Sequence, residues 1–343
     1  MRQAKSAYWQ KVVDSAKNSD GTPRPFFSMA PMEAVTDTIF RRVVAKAGGP
    51  DIYYTEFTNA ASMVHPEAKF SVQGRLAVAD GEEMPIAQIW GSKPEAIAGA
   101  AKLLPDLGYE AVDLNMGCPD GTVIKNSAGS DLIRHHDTAI ALIEAAKESG
   151  LPVSVKTRLG FYRIDEYEEW LTTILEQDIQ VLTIHLRTRK EMSKADAHFE
   201  LIDDIVALRD KYAPNTLLQI NGDIKNFKHG LELAAAHPGV DGIMIGRGVL
   251  EDPYAFNHEE KKHSLSESID LLKYQLDLYD EVNNSVTPKH FEALKRYFKI
   301  YLRGFAHAAK LRQALMETHA TDEVRALLAE HEDDLVRWEK EQR

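Results

Sequence analysis

Ala111-Val112-Asp113-Leu114-Asn115-Met116-Gly117-Cys118-Pro119 is the stretch that decides the fold, and it holds the only cysteine of the chain. An apolar run reads as a strand and ends at Asn115. The chain then turns through Gly117 and presents a thiol just before Pro119, whose ring stiffens the backbone beyond it. Cys118 sits after the run, among turn residues, where side chains are usually reachable. A lone cysteine there is either a small core residue or a functional thiol, and the stretch alone does not choose.

The same unit, an apolar run followed by polar residues, recurs along the chain. The runs are 26–29, 52–55, 86–89, 111–114, 153–156, 181–185, 217–221 and 242–245. Each is apolar nearly throughout, as expected for parallel strands covered on both faces. Helical patterning fills 36–47, 94–104, 137–149, 167–177, 199–212 and 227–236, with Pro94 suited to a first turn and Gly150 to a helix end. Eight strands alternating with helices predict an α/β fold, a (β/α)8 TIM barrel. A doubly wound sheet is the competitor, but no G-x-G-x-x-G follows the first strand. In a barrel the residues past the strand ends, among them Pro31, Met32, Gln88, Asn115, Lys156, His185, Asn221 and Arg247, share the C-terminal face, where sites are built.

Length and composition agree with one large barrel plus a smaller part. The chain has 343 residues, 44% hydrophobic and 27% charged, with a net charge of −12. One cysteine excludes an intrachain disulfide and fits a reducing compartment. Residues 1–17 lack the apolar core of a signal peptide, and no run approaches the about eighteen apolar residues of a membrane span, so a cytoplasmic protein is expected. The negative balance argues against a generic nucleic-acid coat without excluding a local basic patch.

The pattern changes after Pro253. From 264 to 343 there is only helical periodicity, so the expected division is an N-terminal extension (1–24), the barrel (25–255) and a C-terminal all-helical domain (264–343). Phe291, Leu294, Phe298, Tyr301 or Leu302, and Phe305 form an apolar stripe at helical spacing. Lys289, Arg296, Lys299 and Arg303 repeat that spacing roughly 200° around the helix. Between Pro288 and Arg312 there are seven Lys or Arg (289, 295, 296, 299, 303, 310, 312) against one acidic residue, Glu292. A charged face is commonly just solvated, but a single-sign face in an acidic protein suits a phosphate backbone.

At the strand ends, Asn221-Gly222-Asp223 and Gly246-Arg247-Gly248 follow the seventh and eighth strands. Either alone reads as a tight turn; together, on adjacent loops, they suit a phosphate, with Arg247 adding a forked donor. Lys156 in a barrel mouth is costly unless it meets an anion, and the N1–C2=O edge of a reduced flavin is one that fits. Gln88 can donate and accept, which suits a pyrimidine-like ring edge. His185 is ambiguous alone, and no second His, Asp or Glu stands at ligand spacing, so no metal site is expected.

Taken in order, Ala30-Pro31-Met32, Val35-Thr36-Asp37, Gln88, Asn115-Met116-Gly117-Cys118-Pro119, Ala128-Gly129-Ser130, Lys156-Thr157-Arg158, His185-Leu186-Arg187-Thr188, Asn221-Gly222-Asp223 and Gly246-Arg247-Gly248 resemble the tRNA-dihydrouridine synthases. The likeness runs from about Pro25 to Pro253, with N-x-G-C-P its most specific piece, and the helical part looks like that family's tRNA-binding domain. The resemblance implies FMN, reduced by NADPH, passing a hydride to a uracil of tRNA. By motif position Pro31, Met32, Glu33, Gln88, Lys156, His185, Asn221, Gly222, Asp223, Gly246 and Arg247 would hold FMN. Cys118 would protonate C5 after hydride reaches C6, and Asn115 would help place the base. Arg187, Lys295, Lys299 and Arg303 would meet the tRNA, and a monomer is expected.

The chemistry agrees: an ordinary thiol, with a pKa of about 8.5, keeps its proton at neutral pH and can give it up. Reducing a base destroys its stacking, so the nucleotide must leave the tRNA fold, which requires grip on nearby phosphates. Leu186, Lys194, His198 and Ser127 depart from the family's usual Gly, Gly, Trp and Gly. They lie around the substrate mouth and bear on which uridine is chosen. Two other readings remain. A small-molecule FMN barrel of the dihydroorotate dehydrogenase type shares the barrel but leaves the basic helical part unexplained. A non-catalytic RNA-binding module leaves Cys118, Asn115 and Lys156 unexplained.

Overall fold

Eight parallel strands stand side by side in the order β1-β8-β7-β6-β5-β4-β3-β2. They are β1 (Phe26–Met29), β2 (Thr58–Asn59), β3 (Ala87–Trp90), β4 (Val112–Met116), β5 (Val153–Arg158), β6 (Val181–His185), β7 (Leu217–Asn221) and β8 (Gly242–Ile245). The computed structural model describes residues 4–259, 261–283, 288–305 and 307–341. Residues 1–3 of the expected N-terminal extension and 284–287, 306 and 342–343 of the expected helical domain lie outside the described residues, as does 260.

Closure of the barrel comes from the chain ahead of β2. Ser28 bridges Ile52, and Tyr54 bridges Ile86, both parallel. The strand expected at 52–55 is therefore two single bridges, and the regular ladder falls at Thr58–Asn59, against Ile89 and Trp90. The cause is visible at Thr55: its hydroxyl, not a backbone carbonyl, accepts the Gln88 N–H at 3.0 Å. That substitution interrupts the ladder.

Around the strands pack α2 (Thr38–Lys46), α3 (Pro94–Leu103), α4 (His136–Lys147), α5 (Tyr167–Leu175), α6 (Ile202–Tyr212) and α7 (Phe227–Ala236). The expected uninterrupted apolar strands prove half right. The faces toward the helices are apolar, but a polar layer crosses the barrel interior. Ser28, Asp113, Ser154, Thr183 and Gln219, from five strands, are all fully buried. They bond between strands: Thr183 Oγ1 donates to Gln219 Oε1 at 2.9 Å and Ser154 Oγ to Asp113 Oδ1 at 2.6 Å on adjacent strands, and Gln219 Nε2 reaches past β8 to Ser28 Oγ at 2.9 Å. Buried polar groups are tolerable on those terms.

The N-terminal extension forms α1 (Ala7–Ser15), which stoppers the end of the barrel opposite the mouth. Its Trp9, Val12, Val13 and Ala16 join one apolar cluster with Phe26, Ile86, Ala111, Val181 and Leu217, residues at or just before strand starts, and with Ile52 of the bridge segment. Lys5 fastens it by donating to the Ile179 carbonyl at 2.9 Å and Thr216 Oγ1 at 3.2 Å.

After β8 the described chain is helical: α8 (Leu265–Asn283), two one-turn helices (Glu292–Lys295 and Phe298–Tyr301), α9 (Ala308–Met316), α10 (Thr321–Glu330) and α11 (Glu332–Glu341). The single helix expected through 289–305 is thus broken at Arg296 and Tyr297. Both turn to the barrel: Arg296 Nη1 donates to the Ala34 carbonyl at 2.8 Å and the Tyr297 hydroxyl to the Val35 carbonyl at 3.1 Å. The apolar stripe is still buried from Leu294 to Phe305, with Phe291 half-buried. Tyr297 stacks on Phe40 of α2 at 4.9 Å, and Arg42 of α2 grips Glu281 of α8 with both nitrogens, at 2.8 and 3.1 Å. Among the described residues no helix is long and apolar enough to cross a membrane.

Candidate active site

The turn after β4 is held from three sides. Asn115 Oδ1 accepts the N–H groups of Gly117 at 3.1 Å and Cys118 at 2.9 Å. Ser130 gives both its N–H and its hydroxyl to the Cys118 carbonyl, at 3.0 and 2.9 Å. Arg158 Nε donates to the Gly117 carbonyl at 2.8 Å. A Cβ at Gly117 would stand 3.1 Å from the Thr157 backbone, so a larger residue there would press β5 out of place. Fixed this way, Cys118 faces a cavity of about 490 Å³ lined by Glu33, Phe57, Val72, Arg75, Trp90 and Asp120. Burial pushes its thiol above the ordinary value, with nearby Arg158 and Lys156 pulling the other way. The thiol keeps its proton.

A second cavity, of about 540 Å³, opens over the strand ends and is lined by Pro31, Met32, Lys156, Arg158, His185, Asn221, Gly222, Asp223, Gly246 and Arg247. Burial, then Arg158, lowers the Lys156 ammonium to about 8. Lys156 makes no ion pair among the described residues. Burial, then Arg158, Lys156, Arg187 and Arg247, pushes His185 well below its usual range, so its imidazole is neutral. Asp223 stands in left-handed backbone, φ +50°. Its carboxylate takes Arg187 on one oxygen and Arg247 on the other, the latter at 2.7 Å. Burial works against that charge, but the Ala197 N–H and the two arginines hold the carboxyl below its ordinary value.

These residues fit an anionic flavin mononucleotide. Lys156, Arg158, Lys225 and Arg247 line the cavity against Asp196, Asp223 and Glu251, with buried Arg187 behind Asp223 and the neutral His185 imidazole among them. Arg187 Nη1 is buried with no hydrogen-bond partner, close to Gly222, whose backbone is at φ +122°. A phosphate over the Gly222 and Gly246 loops would answer that surplus of positive charge.

Several residues expected at the site stand elsewhere. Gln88 is fully buried and lines neither cavity; its amide is spent on Asp113 and Asn115, at 2.7 and 2.9 Å. Asn115 uses its side chain to hold the Cys118 turn, which leaves its oxygen no freedom to place a base. Glu33 pairs with Arg75 beside the Cys118 cavity, away from the second cavity. Arg187 is 1% exposed, so it braces Asp223 and the Ala195 carbonyl and cannot face tRNA. Lys295 is buried and paired with Glu292 at 2.7 Å. Arg303 is exposed, but its Nη2 donates to the Leu250 carbonyl at 2.7 Å. Lys289 is likewise paired with Asp37. Much of the basic stripe therefore ties the helical part to the barrel, because backbone carbonyls and Asp37 lie within reach. Lys299 and Lys310 remain exposed and unpaired among the described residues.

Of the departures from the family pattern, Ser127 holds φ +52°, the backbone that favours glycine. His198 bridges Glu191 and Glu200 at 2.8 and 2.7 Å. Leu186 is fully buried and Lys194 exposed. Residues given no role from the sequence include Arg158, named only as the last residue of the Lys156-Thr157-Arg158 motif, Arg75 and Asp113. A carboxylate within an apolar strand was the available signal for Asp113; Arg75 lies in a connection with no periodicity to read.

Comparison with known proteins gives a family match. The family model described as Dihydrouridine synthase (Dus) matches residues 28–337. "Probable tRNA-dihydrouridine synthase 2" of Bacillus subtilis (strain 168) is 54% identical over 310 residues, covering 90% of this chain and 95% of that one. "Probable tRNA-dihydrouridine synthase" of Staphylococcus aureus (strain MRSA252) is 52% identical over 310 residues, covering 90% and 94%. A solved structure titled "Morphinone reductase" overlaps 68% of this chain and 84% of its own, with a TM-score of 0.46 at 12% identity.

Proposed function

The chain belongs to the dihydrouridine synthase family, and from that premise we propose that it reduces the C5=C6 bond of a uridine in tRNA. When bound, FMN reduced by NADPH supplies the hydride that C6 receives. Lys156, Arg247 and the Asn221, Gly222 and Gly246 loops would hold its phosphate and ring edge, with Pro31, Met32 and neutral His185 completing the walls. Cys118 gives its proton to C5, where enolate-like charge develops as C6 is reduced, and the thiolate regains a proton from solvent. Asn115, Ser130 and Arg158 orient that thiol through the backbone. Trp90 and Phe57, in the wall beside Cys118, exclude water from the base. Lys299 and Lys310, the lysines of the 289–312 stripe left unpaired among the described residues, are offered to tRNA phosphates, and the enzyme works as a cytoplasmic monomer.

The observation that carries this reading is a single thiol, kept protonated by burial, in a cavity next to one that holds Arg158, Arg247 and a Lys156 without an ion pair among the described residues. The family match continues through the helical part to residue 337, which a small-molecule barrel oxidoreductase does not account for. Rapid mixing of the FMN-loaded enzyme tests the assignment. Cys118→Ala should slow reoxidation of reduced flavin by tRNA by about 10²-fold or more, the usual worth of a general acid, while reduction by NADPH is unchanged. Reoxidation at the wild-type rate would remove Cys118 from the mechanism.

A further inference from the structure

Asp113 is the one carboxylate in the polar layer of the barrel, fully buried, and the proposed chemistry does not use it. Its Oδ1 accepts Ser154 Oγ at 2.6 Å and its Oδ2 accepts Gln88 Nε2 at 2.7 Å. Gln88 Oε1 in turn accepts Asn115 Nδ2 at 2.9 Å, and Asn115 Oδ1 accepts the Cys118 N–H at 2.9 Å. A chain of three hydrogen bonds therefore runs from a buried anion to the proton donor, with Ser154 bonded to the anion's other oxygen.

The order of donors and acceptors in that chain is not free. The two ends of a primary amide have nearly the same shape, so Gln88 and Asn115 would each fit either way round. An ionised carboxylate only accepts. It draws the NH2 end of Gln88 to itself, which turns the Gln88 oxygen toward Asn115. Asn115 must then answer with its NH2 end and is left with its oxygen toward the Gly117 and Cys118 N–H groups. Reversed, the chain would put an NH2 group against two N–H donors, with nothing to accept any of them. Each buried mismatch of that kind is costly.

We propose that Asp113 is a positioning residue for the reaction: the fixed acceptor that sets, through Gln88 and Asn115, the direction of the amide chain and so the seat of the Cys118 thiol. The proposal rests on the reading of Cys118 as the proton donor. It gives a use to a buried charge that stability alone would disfavour.

Protonation supplies a natural lever, because a protonated carboxyl becomes a donor and removes the direction. Burial raises the Asp113 carboxyl to about 6, against the pull of the Ser154 and Gln88 bonds and of Lys156. The titratable groups facing it are Lys156 from β5 and Tyr54 from the bridge segment ahead of β2. Asp113 is ionised above that value, so the tRNA-dependent step should fall as pH drops through about 6.

The test uses full-length, FMN-loaded enzyme, wild type and Asp113→Asn, whose side chain has the same shape but no obligatory polarity. Reduction by NADPH and tRNA affinity should stay within twofold, while reoxidation by tRNA slows 10- to 100-fold and loses its acidic limb. Alkylation of Cys118 by iodoacetamide should change several-fold. Wild-type reoxidation with the acidic limb intact would overturn the proposal, and so would a parallel loss of both half-reactions with the flavin still bound. Should Asp113→Asn fail to fold, Ser154→Ala decides: loss of its bond must move the acidic limb to higher pH, and an unmoved limb overturns the proposal. If tRNA fails to reoxidise even the wild type, the functional reading is wrong, and the alkylation rates alone judge the positioning.

Discussion

Cys118 and Lys156 ask opposite things of the same burial. A buried thiol holds its proton more tightly, which keeps the acid loaded at neutral pH; a buried ammonium holds its proton less tightly, and Lys156 sits at about 8. Lys156 is charged below that value and neutral above it. FMN affinity of the flavin-free protein should therefore weaken as pH rises from 7 to 9. In Lys156→Met it should be weaker throughout and nearly flat over the same range. Flavin fluorescence titrations check both, and an equally flat wild type would count against Lys156 as an anion partner. These two residues were legible in the sequence because each follows an apolar run at a strand end. Asn115 and Arg187 stand at or just past strand ends and Gln88 lies within β3, and all three side chains turn inward to bond the protein itself. An Asn at a strand end can serve the backbone or a ligand equally well, and only the neighbours decide. Asp113 was visible as a lone carboxylate between Val112 and Leu114, but its partners come from β3 and β5, which local sequence does not specify.

The loop after β1 shows how one element borrows its shape from another. Ala34 has φ +55°, a left-handed backbone that costs a non-glycine residue about 1 kcal/mol or more. Glu56 accepts its N–H at 2.5 Å, while Arg296 and Tyr297 of the helical part take the carbonyls of Ala34 and Val35. The loop so held carries Pro31 and Met32 into the second cavity. Tyr297→Phe deletes only a hydroxyl. It should lower stability by about 1 kcal/mol, from one unsatisfied buried carbonyl, and weaken FMN several-fold. Urea unfolding and flavin titration would show it; unchanged FMN affinity would mean the loop keeps its form unaided. Periodicity located the apolar stripe of 291–305 but not its break at 296–297. That bend answers carbonyls more than 250 residues away in the chain.

At the scale of the molecule, the helical part is packed on the barrel by the same basic residues that read as an RNA surface. Lys289, Lys295, Arg296 and Arg303 are engaged within the protein, and cutting the chain after 255 would strip Tyr297 from Phe40 and Arg296 from Ala34. Loss of activity in such a truncation would thus report on the flavin loop as well as on tRNA. Lys299 and Lys310 give the cleaner comparison. Changed together to Ala, they should weaken tRNA binding and reduce the slope of log affinity against log salt by about 2, near one for each phosphate contact. Neither should alter flavin reduction by NADPH. An unaltered slope would place the RNA on another face. The barrel and the helical tail were readable from repeated strands and their sudden end, whereas the union of the two depended on single pairings such as Arg42 with Glu281.

The stopper at the foot of the barrel has a kinetic meaning. Helix α1 precedes every strand in the chain, yet the surface it covers is assembled from strand starts spread between Phe26 and Leu217. No site exists for it until the strands have found one another, so its docking is a late event with a long sequence separation. Contacts absent from the folding transition state leave the folding rate alone and govern escape from the native state. Trp9→Ala, which empties a fully buried position, should cost about 3–5 kcal/mol. Nearly all of it should appear as faster unfolding in denaturant-jump experiments, with the refolding limb in place. The first segment of the chain then acts as a latch that sets how long the folded enzyme lasts.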